Sequence, residues 1–349
     1  MGDLRKKVLI VQEEIPHYNR PVFELLNQYC DLTVLYSKDN GLKYGFKTIL
    51  LQKDKKFFEL DVLKMAKEYD VVIRTLQLSD IATYMMLMMP RRYRMILWGI
   101  GVAAAYNQRF DSSQKRVNIY KHMINRADAA IFYSDYPVDK YVSLGISKDK
   151  LFVAHNTVEI KKIELNENRN KLLFIGTLYK EKRVDLLIEE YRKAFEKNND
   201  IPELLIIGDG PEKENIESLI SGYYLNDRII MLGKITDEER LSEIFRDVLL
   251  CISPDQAGLS VQKAMGYGTV FVTKKDAITG GEMFDIENGA NGILIDDFDE
   301  ISKIIIDSVE NRNRYVEMGN NAYDFYWNNR TVDKKVNGFI KAIDYVSYK

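Results

Sequence analysis

The fold assignment rests first on the segment Ser253-Pro-Asp-Gln-Ala-Gly-Leu-Ser-Val-Gln-Lys-Ala-Met-Gly-Tyr-Gly268, with the apolar run Thr269-Val-Phe-Val-Thr273 directly after it. The order of residues predicts a loop, a glycine turn, a short helix with one apolar face, and a buried strand. Gly258 lies where the loop ends. Backbone N–H groups and the positive end of the helix dipole are free to face an anion there, and the arrangement suits a diphosphate.

Strands and helices alternate on both sides of this stretch, which predicts a parallel sheet covered on both faces. In the second half the predicted strands are Leu172–Ile175, Glu203–Ile207, Arg228–Leu232, Val248–Ile252 and Ile293–Ile295. The predicted helices are Arg183–Lys197, Glu212–Ser221, Asp237–Phe245, Asp299–Glu310, Arg312–Phe325 and Thr331–Ser347.

The first half repeats the pattern. Its predicted strands are Lys7–Val11, Leu32–Tyr36, Asp70–Arg74, Met95–Trp98, Ala129–Tyr133 and Leu151–Ala154, and its clearest helices are Pro21–Tyr29 and Ser113–Arg126. Residues 160–170 are charged and lack periodicity, so they are predicted to form a linker. A chain of 349 residues is too long for one core and suits two domains.

Composition is that of a globular protein, with 46% hydrophobic and 29% charged residues. Met1–Lys7 is polar and basic, which argues against a signal peptide and predicts a cytoplasmic protein. The apolar window Ile81–Pro90 is too short to span a bilayer. Cys30 and Cys251 are predicted to be buried thiols that form neither a disulfide nor a metal site.

Charge is distributed unevenly between the two halves. Residues 1–160 have 24 Lys and Arg against 18 Asp and Glu, whereas residues 161–349 have 26 against 34. A basic first half favours an acidic partner such as a lipid headgroup or a diphosphate-linked acceptor, and uneven surface charge without a partner is the alternative. Met85–Met89 and the following Arg91–Arg94 allow two interpretations. They could be a buried helix followed by a charged segment, or a surface that contacts an anionic membrane.

The segment 253–268 resembles the donor-binding segment of family 4 glycosyltransferases. That family segment reads Glu-Gly-Phe-Gly-Leu, followed by three residues and then Glu-Ala-Met-Ala. Asp255 stands at the first acidic position and Lys263 at the second. The resemblance implies that Asp255 accepts a hydrogen bond from a donor-sugar hydroxyl. The second acid of the family binds the ribose hydroxyls, but Lys263 has no acceptor atom, so Glu282 is a candidate substitute.

Phe174–Ile188 resembles the strand-turn-helix of the same family. Lys182 matches the family lysine, which neutralises charge on the leaving nucleotide. Arg183 lies beside Lys182, and Thr177 replaces the arginine that the family usually has. The alternative interpretation of this segment is a solvated turn without a role in donor binding. The resemblance implies catalysis by Lys182, Arg183 and Asp255, and donor binding by Gly176, Thr177, Gly208, Gly210, Gly258, Leu259, Ser260 and Lys263. Glu282 is added to the donor-binding candidates as the substitute acid.

The first half is expected to hold the acceptor and one side of the donor sugar. Its candidate residues are His17, Tyr18, Asn19 and Arg20, after the first strand, and Gly99 and Gly101, after a later strand. Many family members have a histidine near that second turn, where this chain has Ile100.

The resemblance implies a GT-B fold, with two Rossmann-like α/β domains facing a cleft. The expected boundaries are 1–160 for the acceptor-side domain, 161–170 for the linker, 171–330 for the nucleotide-sugar domain and 331–349 for a helix crossing back. It implies a retaining transferase that uses a UDP-sugar or GDP-sugar without a metal or cofactor. The acceptor would be a glycan or a lipid-linked molecule in bacterial capsule, exopolysaccharide or O-antigen assembly, at the inner face of the membrane.

Two other functions stay open. A nucleotide-sugar 2-epimerase on the same fold would need acid–base side chains in the cleft. A non-catalytic partner of another glycosyltransferase would be compatible with the departures at Thr177, Ile100 and Lys263. The sequence has no Walker loop, zinc-spaced Cys/His cluster, Gly-x-Ser-x-Gly elbow or recognisable nucleic-acid module.

Overall fold

The computed structural model describes residues 5–51, 58–104 and 108–348. Residues 1–4, part of the basic N-terminus discussed above, lie outside the described residues. The chain forms two compact units. Unit 1 is built from described residues within 1–103, 111–159 and 331–349, and unit 2 from those within 104–110 and 160–330.

Unit 1 contains a seven-stranded parallel sheet with the strand order β3-β2-β1-β4-β5-β6-β7. The strands are β1 Lys7–Val11, β2 Asp31–Tyr36, β3 Lys47–Leu50, β4 Val71–Thr75, β5 Arg94–Gly99, β6 Ala129–Phe132 and β7 Leu151–Val153. The helices between them are α1 Arg20–Leu26, α2 Phe58–Ala66, α3 Ile81–Met88, α4 Gln114–Arg126 and α5 Tyr136–Ser143.

Unit 2 contains a six-stranded parallel sheet with the order β10-β9-β8-β11-β13-β15, and a separate pair formed by β12 and β14. The strands are β8 Lys171–Ile175, β9 Leu204–Ile207, β10 Ile229–Gly233, β11 Val248–Ile252, β12 Gln256–Ala257, β13 Val270–Lys274, β14 Ile278–Thr279 and β15 Gly292–Ile295. The helices are α6 Val184–Lys197, α7 Lys213–Gly222, α8 Glu238–Phe245, α9 Ser260–Gly266, α10 Glu300–Glu310 and α11 Arg312–Asn329.

Both sheets are doubly wound, which confirms the predicted α/β class. In each sheet the strand order reverses at one point, between β1 and β4 in unit 1 and between β8 and β11 in unit 2. Helices cover both faces, so the central strands are apolar on both sides; Val8–Val11 is buried throughout. Open α/β sheets bind ligands beyond the carboxyl ends of the strands at such a reversal.

The last helix, α12 (Val332–Ser347), belongs to unit 1 and confirms the predicted return of the chain to the first domain. It packs beside α1 and over β6 and β7. Its apolar face, which includes Val336, Phe339 and Ile343, is part of the same core as β1 and β4. The other face of that sheet has its own core, beneath α2, α3, α4 and α5.

The predicted linker, residues 160–170, has neither helix nor strand but packs into unit 2. Arg169 is 1% exposed. Its guanidinium donates to the carbonyls of Gly268 and Val316 and to Asn320 Oδ1. The segment is therefore a fixed part of the unit that it precedes.

The two cysteines, Cys30 and Cys251, are free and buried, as predicted.

Candidate functional site

Lys182 lies on a single 3-10 turn, Lys180–Lys182, between β8 and α6. That position is beyond the carboxyl end of β8, next to the point where the strand order of unit 2 reverses. The side chain is only 7% exposed. Its Nζ lies 3.5 Å from the point where a Cβ on Gly176 would stand, so the lysine covers the turn that ends β8.

Burial lowers the pKa of Lys182 from its ordinary 10.5 to about 8. Desolvation is the largest cause, because a buried ammonium loses its hydration; the charges of Cys251 and Glu282 oppose the lowering. Among the described residues, no carboxylate forms a hydrogen bond or ion pair with the Lys182 ammonium. The site therefore holds a positive charge that a bound anion would stabilise.

The surroundings of Lys182 are fixed by hydrogen bonds. The ammonium lies 5.9 Å from the ring centre of Tyr179, whose hydroxyl donates to Gln256 Oε1 on β12. Glu282, 6% exposed, accepts from the backbone N–H of Gly280 at 2.9 Å. The sequence made Glu282 a candidate substitute for the acid that binds ribose; the structure places it in a buried 3-10 turn within Coulombic range of Lys182.

Asp255 follows β11 and forms a bidentate ion pair with Arg109, with N–O distances of 2.7 and 3.2 Å. Arg109 Nη1 also donates to the carbonyl of Asp276. Neither partner of the pair is fully buried, since the side chain of Arg109 is 42% exposed and that of Asp255 is 13% exposed. Sequence analysis did not find Arg109, because it is 146 residues from Asp255 and no motif surrounds it.

Lys263, on α9, is paired with Glu238 at the first turn of α8, with an N–O distance of 2.7 Å. The hydroxyl of Tyr267 donates to the other oxygen of the same carboxylate. The reversed charge at position 263 is therefore compensated by an acid from a neighbouring helix. The sequence did not single out Glu238. Its only signal was an acid at the start of a helix, which is a common position for acidic residues.

Arg183 follows Lys182 directly, but its side chain is engaged elsewhere. Its guanidinium pairs with Asp185 at 3.2 Å and lies 5.8 Å from the ring centre of Phe298. Thr177 is exposed on the turn after β8. The structure thus brings Lys182 and Glu282 together, while the Arg183 charge is already paired.

The predicted donor-binding glycines fall into two groups. A Cβ on Gly208 would lie 1.9 Å from the carbonyl oxygen of Gly176, and one on Gly210 would lie 2.4 Å from that of Leu178. Close packing of two turns therefore accounts for Gly208 and Gly210. A Cβ on Gly258 would meet nothing within 4 Å, so packing does not explain that glycine.

Gly258 and Leu259 precede α9, a helix of seven residues that begins at Ser260. Gly258 and Leu259 are partly exposed. Ser260 Oγ is shielded from solvent and has no hydrogen-bond partner among the described residues. A buried hydroxyl without a partner is costly, and a phosphate oxygen would satisfy it.

In unit 1, the four candidates after β1 have different environments. His17 is exposed and lies edge-on to Tyr18, with ring centres 5.5 Å apart. Asn19 is buried and accepts a 3.1 Å hydrogen bond from Lys335 of α12. Arg20 pairs with Glu24, one helical turn further along α1.

Lys335 is a buried lysine that sequence analysis did not single out, with 1% exposure. Its Nζ also donates to Asn156 Oδ1 at 3.0 Å and lies 5.8–5.9 Å from the ring centres of Tyr18, Trp98 and Tyr133. The sequence did contain a signal, because Lys335 stands on the apolar face of α12.

Packing accounts for the two unit 1 glycines. A Cβ on Gly99 would lie 3.3 Å from that of Leu76. Gly101 has φ +83°, and a Cβ there would lie 2.6 Å from the ring of Phe132.

Over residues 5–51, 58–104 and 108–348, no three His, Cys, Asp or Glu side chains converge as a metal site would require. In the same ranges no helix is long and apolar enough to cross a bilayer.

Among known proteins, a family model matches the part of the chain that contains Lys182. Residues 156–325 match the family model described as glycosyl transferases group 1. An uncharacterized glycosyltransferase of Methanocaldococcus jannaschii is 31% identical over 232 residues, which cover 65% of this chain and 55% of that protein. The chain covers between 34% and 60% of the curated relatives that it matches.

Solved structures resemble the chain over almost its whole length. HepE from Anabaena in complex with UDP has a TM-score of 0.75 at 17% identity, covering 97% of this chain and 99% of that one. The apo lipopolysaccharide outer core galactosyltransferase WaaB has a TM-score of 0.70 at 16% identity, with the same coverage. The fold is the GT-B fold of glycosyltransferases.

Proposed function

We propose that the protein is a glycosyltransferase that moves a sugar from a nucleoside-diphosphate sugar to a hydroxyl group of a glycan or lipid-linked acceptor, with retention of configuration. The observation that carries the proposal is Lys182, a buried ammonium without a hydrogen-bonded carboxylate at the strand-order reversal of unit 2. A diphosphate is the anion that a sugar donor brings to such a place.

Lys182 would stabilise the negative charge that develops on the leaving diphosphate. Such an electrostatic contribution is often the largest part of a rate enhancement, because a preorganised charge in a shielded site needs no reorganisation. The unpartnered hydroxyl of Ser260 and the open space above Gly258 support a second phosphate contact at the start of α9. The charge of Lys182 is the reason for proposing transfer without a metal ion.

Two features bear on the nucleoside and sugar. The HepE structures contain UDP and, in one case, UDP-glucose, so UDP is the first nucleotide to test. Asp255 is proposed to contact the donor sugar through its carboxylate. Since Asp255 is paired with Arg109, the pair must open or share its hydrogen bonds when a sugar hydroxyl binds.

The proposed chemical step exchanges one bond at the anomeric carbon. The bond from that carbon to the diphosphate oxygen breaks, and a bond from the acceptor oxygen to the same face of the sugar forms. The departing diphosphate takes the proton of the acceptor hydroxyl, so no side chain is needed as a general base. The product would be an α- or β-glycoside matching the donor.

The acceptor is proposed to belong to bacterial cell-surface polysaccharide assembly. The galactosyltransferase WaaB, by its description, acts on the lipopolysaccharide outer core, which makes a surface glycan the first acceptor class to test. Exposed His17 and its neighbour Tyr18, beyond the carboxyl end of β1 in unit 1, are the proposed acceptor-side contacts.

The test of the donor site is a thermal-shift and calorimetric screen of the full chain against UDP, GDP, dTDP and CMP. We expect one nucleoside diphosphate to raise the melting temperature, because a ligand of the native state stabilises it by mass action. Lys182→Ala should abolish the shift. Lys180→Ala is the matched control, since Lys180 is exposed on the same turn. Equal binding by the native chain and Lys182→Ala would overturn the site.

Turnover is tested separately, with the UDP-sugar that binds best. Slow release of UDP from the donor, accelerated by an oligosaccharide or lipid-linked acceptor, would support transfer, and the anomeric coupling constant of the product by NMR would report retention. Donor binding without UDP release, over a panel of acceptors, would support a non-catalytic partner instead.

A further inference from the structure

The carboxylate of Glu238 is held in place by two residues of a later part of the chain. Lys263 Nζ lies 2.7 Å from Glu238 Oε2, and the hydroxyl of Tyr267 donates to Glu238 Oε1. Tyr267 is itself fixed, because its fully buried ring stacks on that of Phe245 with 4.7 Å between the ring centres. Burial, and then the hydrogen bond to Glu238, raise the pKa of Tyr267 well above its ordinary value, so its hydroxyl keeps the proton that it donates.

Of three consecutive acids at the start of α8, Glu238 is the one directed toward α9. Asp237 caps α8, since its carboxylate accepts from the backbone N–H of Arg240 at 2.9 Å. Glu239 pairs with Lys161, and its side chain is 63% exposed. The side chain of Glu238 is 35% exposed, so a ligand can reach a carboxylate that its two donors keep in one position.

The contacts with Lys263 and Tyr267 leave part of the hydrogen-bonding capacity of the Glu238 carboxylate unused. A carboxylate offers about four acceptor positions on its two oxygens. Within the described part of the chain, one donor reaches each oxygen. The carboxylate can therefore accept one further hydrogen bond on each oxygen, which matches two hydroxyl groups on neighbouring carbon atoms.

Glu238 lies close to the proposed phosphate contact at Ser260. Its partner Lys263 is three residues after Ser260 on α9, so the two side chains lie on one side of that helix, with Cβ atoms about 5–6 Å apart. Helix α8 begins after β10, and α9 begins after β11 and the short β12. Both helices therefore begin at the carboxyl edge of the sheet, where open α/β sheets bind their ligands.

The carboxylate of Glu282, the other acid considered for ribose, is directed differently. Its Oε2 accepts from the backbone N–H of Gly280 at 2.9 Å and from the hydroxyl of Thr279 at 3.4 Å. Glu282 is also buried within Coulombic range of Lys182, the proposed diphosphate contact. Its position suits support of the Lys182 charge, whereas Glu238 lies further along α9 from Ser260.

We propose that Glu238 binds the ribose of the nucleotide, with its two carboxylate oxygens accepting from the 2′- and 3′-hydroxyl groups. The furanose ring separates these hydroxyls from the first phosphate, as one helical turn separates Lys263 from Ser260. Acidic side chains hold ribose hydroxyls in other open α/β sheets. Lys263 and Tyr267 are positioning residues, which act on the ribose through Glu238. The inference rests on the proposed function, since it needs a nucleoside diphosphate in unit 2.

The test compares UDP with 2′-deoxy-UDP by isothermal titration of the full chain. The native protein should bind UDP about tenfold more tightly, because 2′-deoxy-UDP lacks a hydrogen bond to a charged group. Glu238→Gln should bind the two nucleotides within about threefold of each other, because a neutral amide accepts a weaker hydrogen bond than a carboxylate. If the nucleotide screen favours another base, the ribose and 2′-deoxyribose diphosphates of that base are compared instead.

Glu239→Gln is the matched control, because it removes the neighbouring acid, which pairs with Lys161. This variant should keep the native preference for UDP. Lys263→Met leaves the Glu238 carboxylate but removes one of its two donors, and should reduce the preference without abolishing it. Melting temperatures without nucleotide report whether each variant folds. A merely structural role of Glu238 would weaken the binding of UDP and 2′-deoxy-UDP equally and leave their ratio unchanged.

Two results would overturn the inference while the donor site at Lys182 stands. The first is a native protein that binds 2′-deoxy-UDP as tightly as UDP, or dTDP more tightly than UDP, although Lys182→Ala abolishes binding. The second is a preference for UDP that stays at the native value in Glu238→Gln. No binding of any nucleoside diphosphate would overturn the ribose contact and the proposed function together.

Discussion

At the scale of single residues, Lys182 links pH to ligand binding. A pKa of about 8 in the unliganded protein means that the lysine is mostly charged at pH 7 and mostly neutral at pH 9. A diphosphate binds the charged form, so its Kd should be about tenfold higher at pH 9 than at pH 7. Isothermal titration of UDP at the two pH values measures this.

Lys182→Arg is the control, because a guanidinium stays charged throughout this range. Its Kd for UDP should change little between the two pH values. A Kd for UDP that does not change with pH in the native protein would contradict a lowered lysine pKa.

The same group also affects stability. Its folded-state pKa lies below the unfolded value of 10.5, so between pH 8 and 10.5 the unfolded chain binds more protons. The contribution of Lys182 therefore makes the free energy of unfolding rise with pH through this window, by up to about 3 kcal/mol in total. Denaturant titrations of the native chain and Lys182→Arg at pH 7.5 and 10 measure this contribution. The difference between their free energies of unfolding should change with pH, in favour of the native chain at the higher pH.

The ion pair of Lys263 and Glu238 gives a prediction of a different kind. Lys263→Glu would place two partly buried carboxylates side by side and should lower the free energy of unfolding by about 1–2 kcal/mol. The exchange Lys263→Glu/Glu238→Lys should restore most of it, since neighbouring charges couple. A double-mutant cycle is completed by the melting temperatures of Lys263→Glu, Glu238→Lys and the double variant. Additive effects of the two single substitutions would contradict the pairing.

How far the sequence alone can nominate site residues has a physical cause. Lys182 can be nominated from local sequence because its strand, turn and helix are contiguous. Arg109 and Glu238 are not, because their partners Asp255 and Lys263 lie 146 and 25 residues away along the chain. Contacts at such separations depend on how the sheet brings loops together, which a linear pattern does not specify.

At the scale of elements, the turns after β8, β9 and β11 show which glycines packing requires. Gly208→Ala would push a methyl group into the carbonyl of Gly176 and should cost about 2–4 kcal/mol of stability. Gly258→Ala enters open space and should change stability by less than about 1 kcal/mol. If the Gly258 backbone contacts a diphosphate, the same substitution should weaken UDP binding.

The two substitutions are compared by chemical denaturation and by UDP titration. Normal stability with reduced UDP affinity in Gly258→Ala would assign that glycine to the ligand. A large loss of stability there, or none in Gly208→Ala, would mean that the turns pack differently.

Prediction of the elements succeeded where periodicity was strong. The central strands and α6 were predicted to within about two residues because apolar runs and amphipathic spacing mark them. β3 was missed because Lys47–Leu50 is a short edge strand with a charged first residue and no fully buried position. The pair β12 and β14 was missed because strands of two residues carry no period.

At the scale of the whole molecule, the two units have separate hydrophobic cores. Phe339→Ala on α12 removes a fully buried ring from the unit 1 core and should cost that unit about 3–5 kcal/mol. Hydrogen exchange should accelerate in β1, β4 and β6. Strands β8, β11 and β13 of unit 2 should keep their protection, because none of their side chains belongs to that core.

Tyr191→Ala is the reciprocal variant, since Tyr191 is fully buried in the unit 2 core. Its exchange pattern should be the reverse. Uniform acceleration over both units by either variant would show that they unfold as one cooperative body.

The position of α12 has a consequence for how the chain folds during its synthesis. Unit 2 is encoded by a nearly continuous run of sequence, whereas unit 1 needs a helix that is encoded after unit 2. On the ribosome, the strands of unit 1 emerge before the helix that completes the core around Val8, Ile10 and Ile73. Unit 2 can therefore finish folding before unit 1, although it is translated later. Unit 1 keeps an exposed apolar face until residue 346 has emerged, and that face is a natural site for chaperone binding.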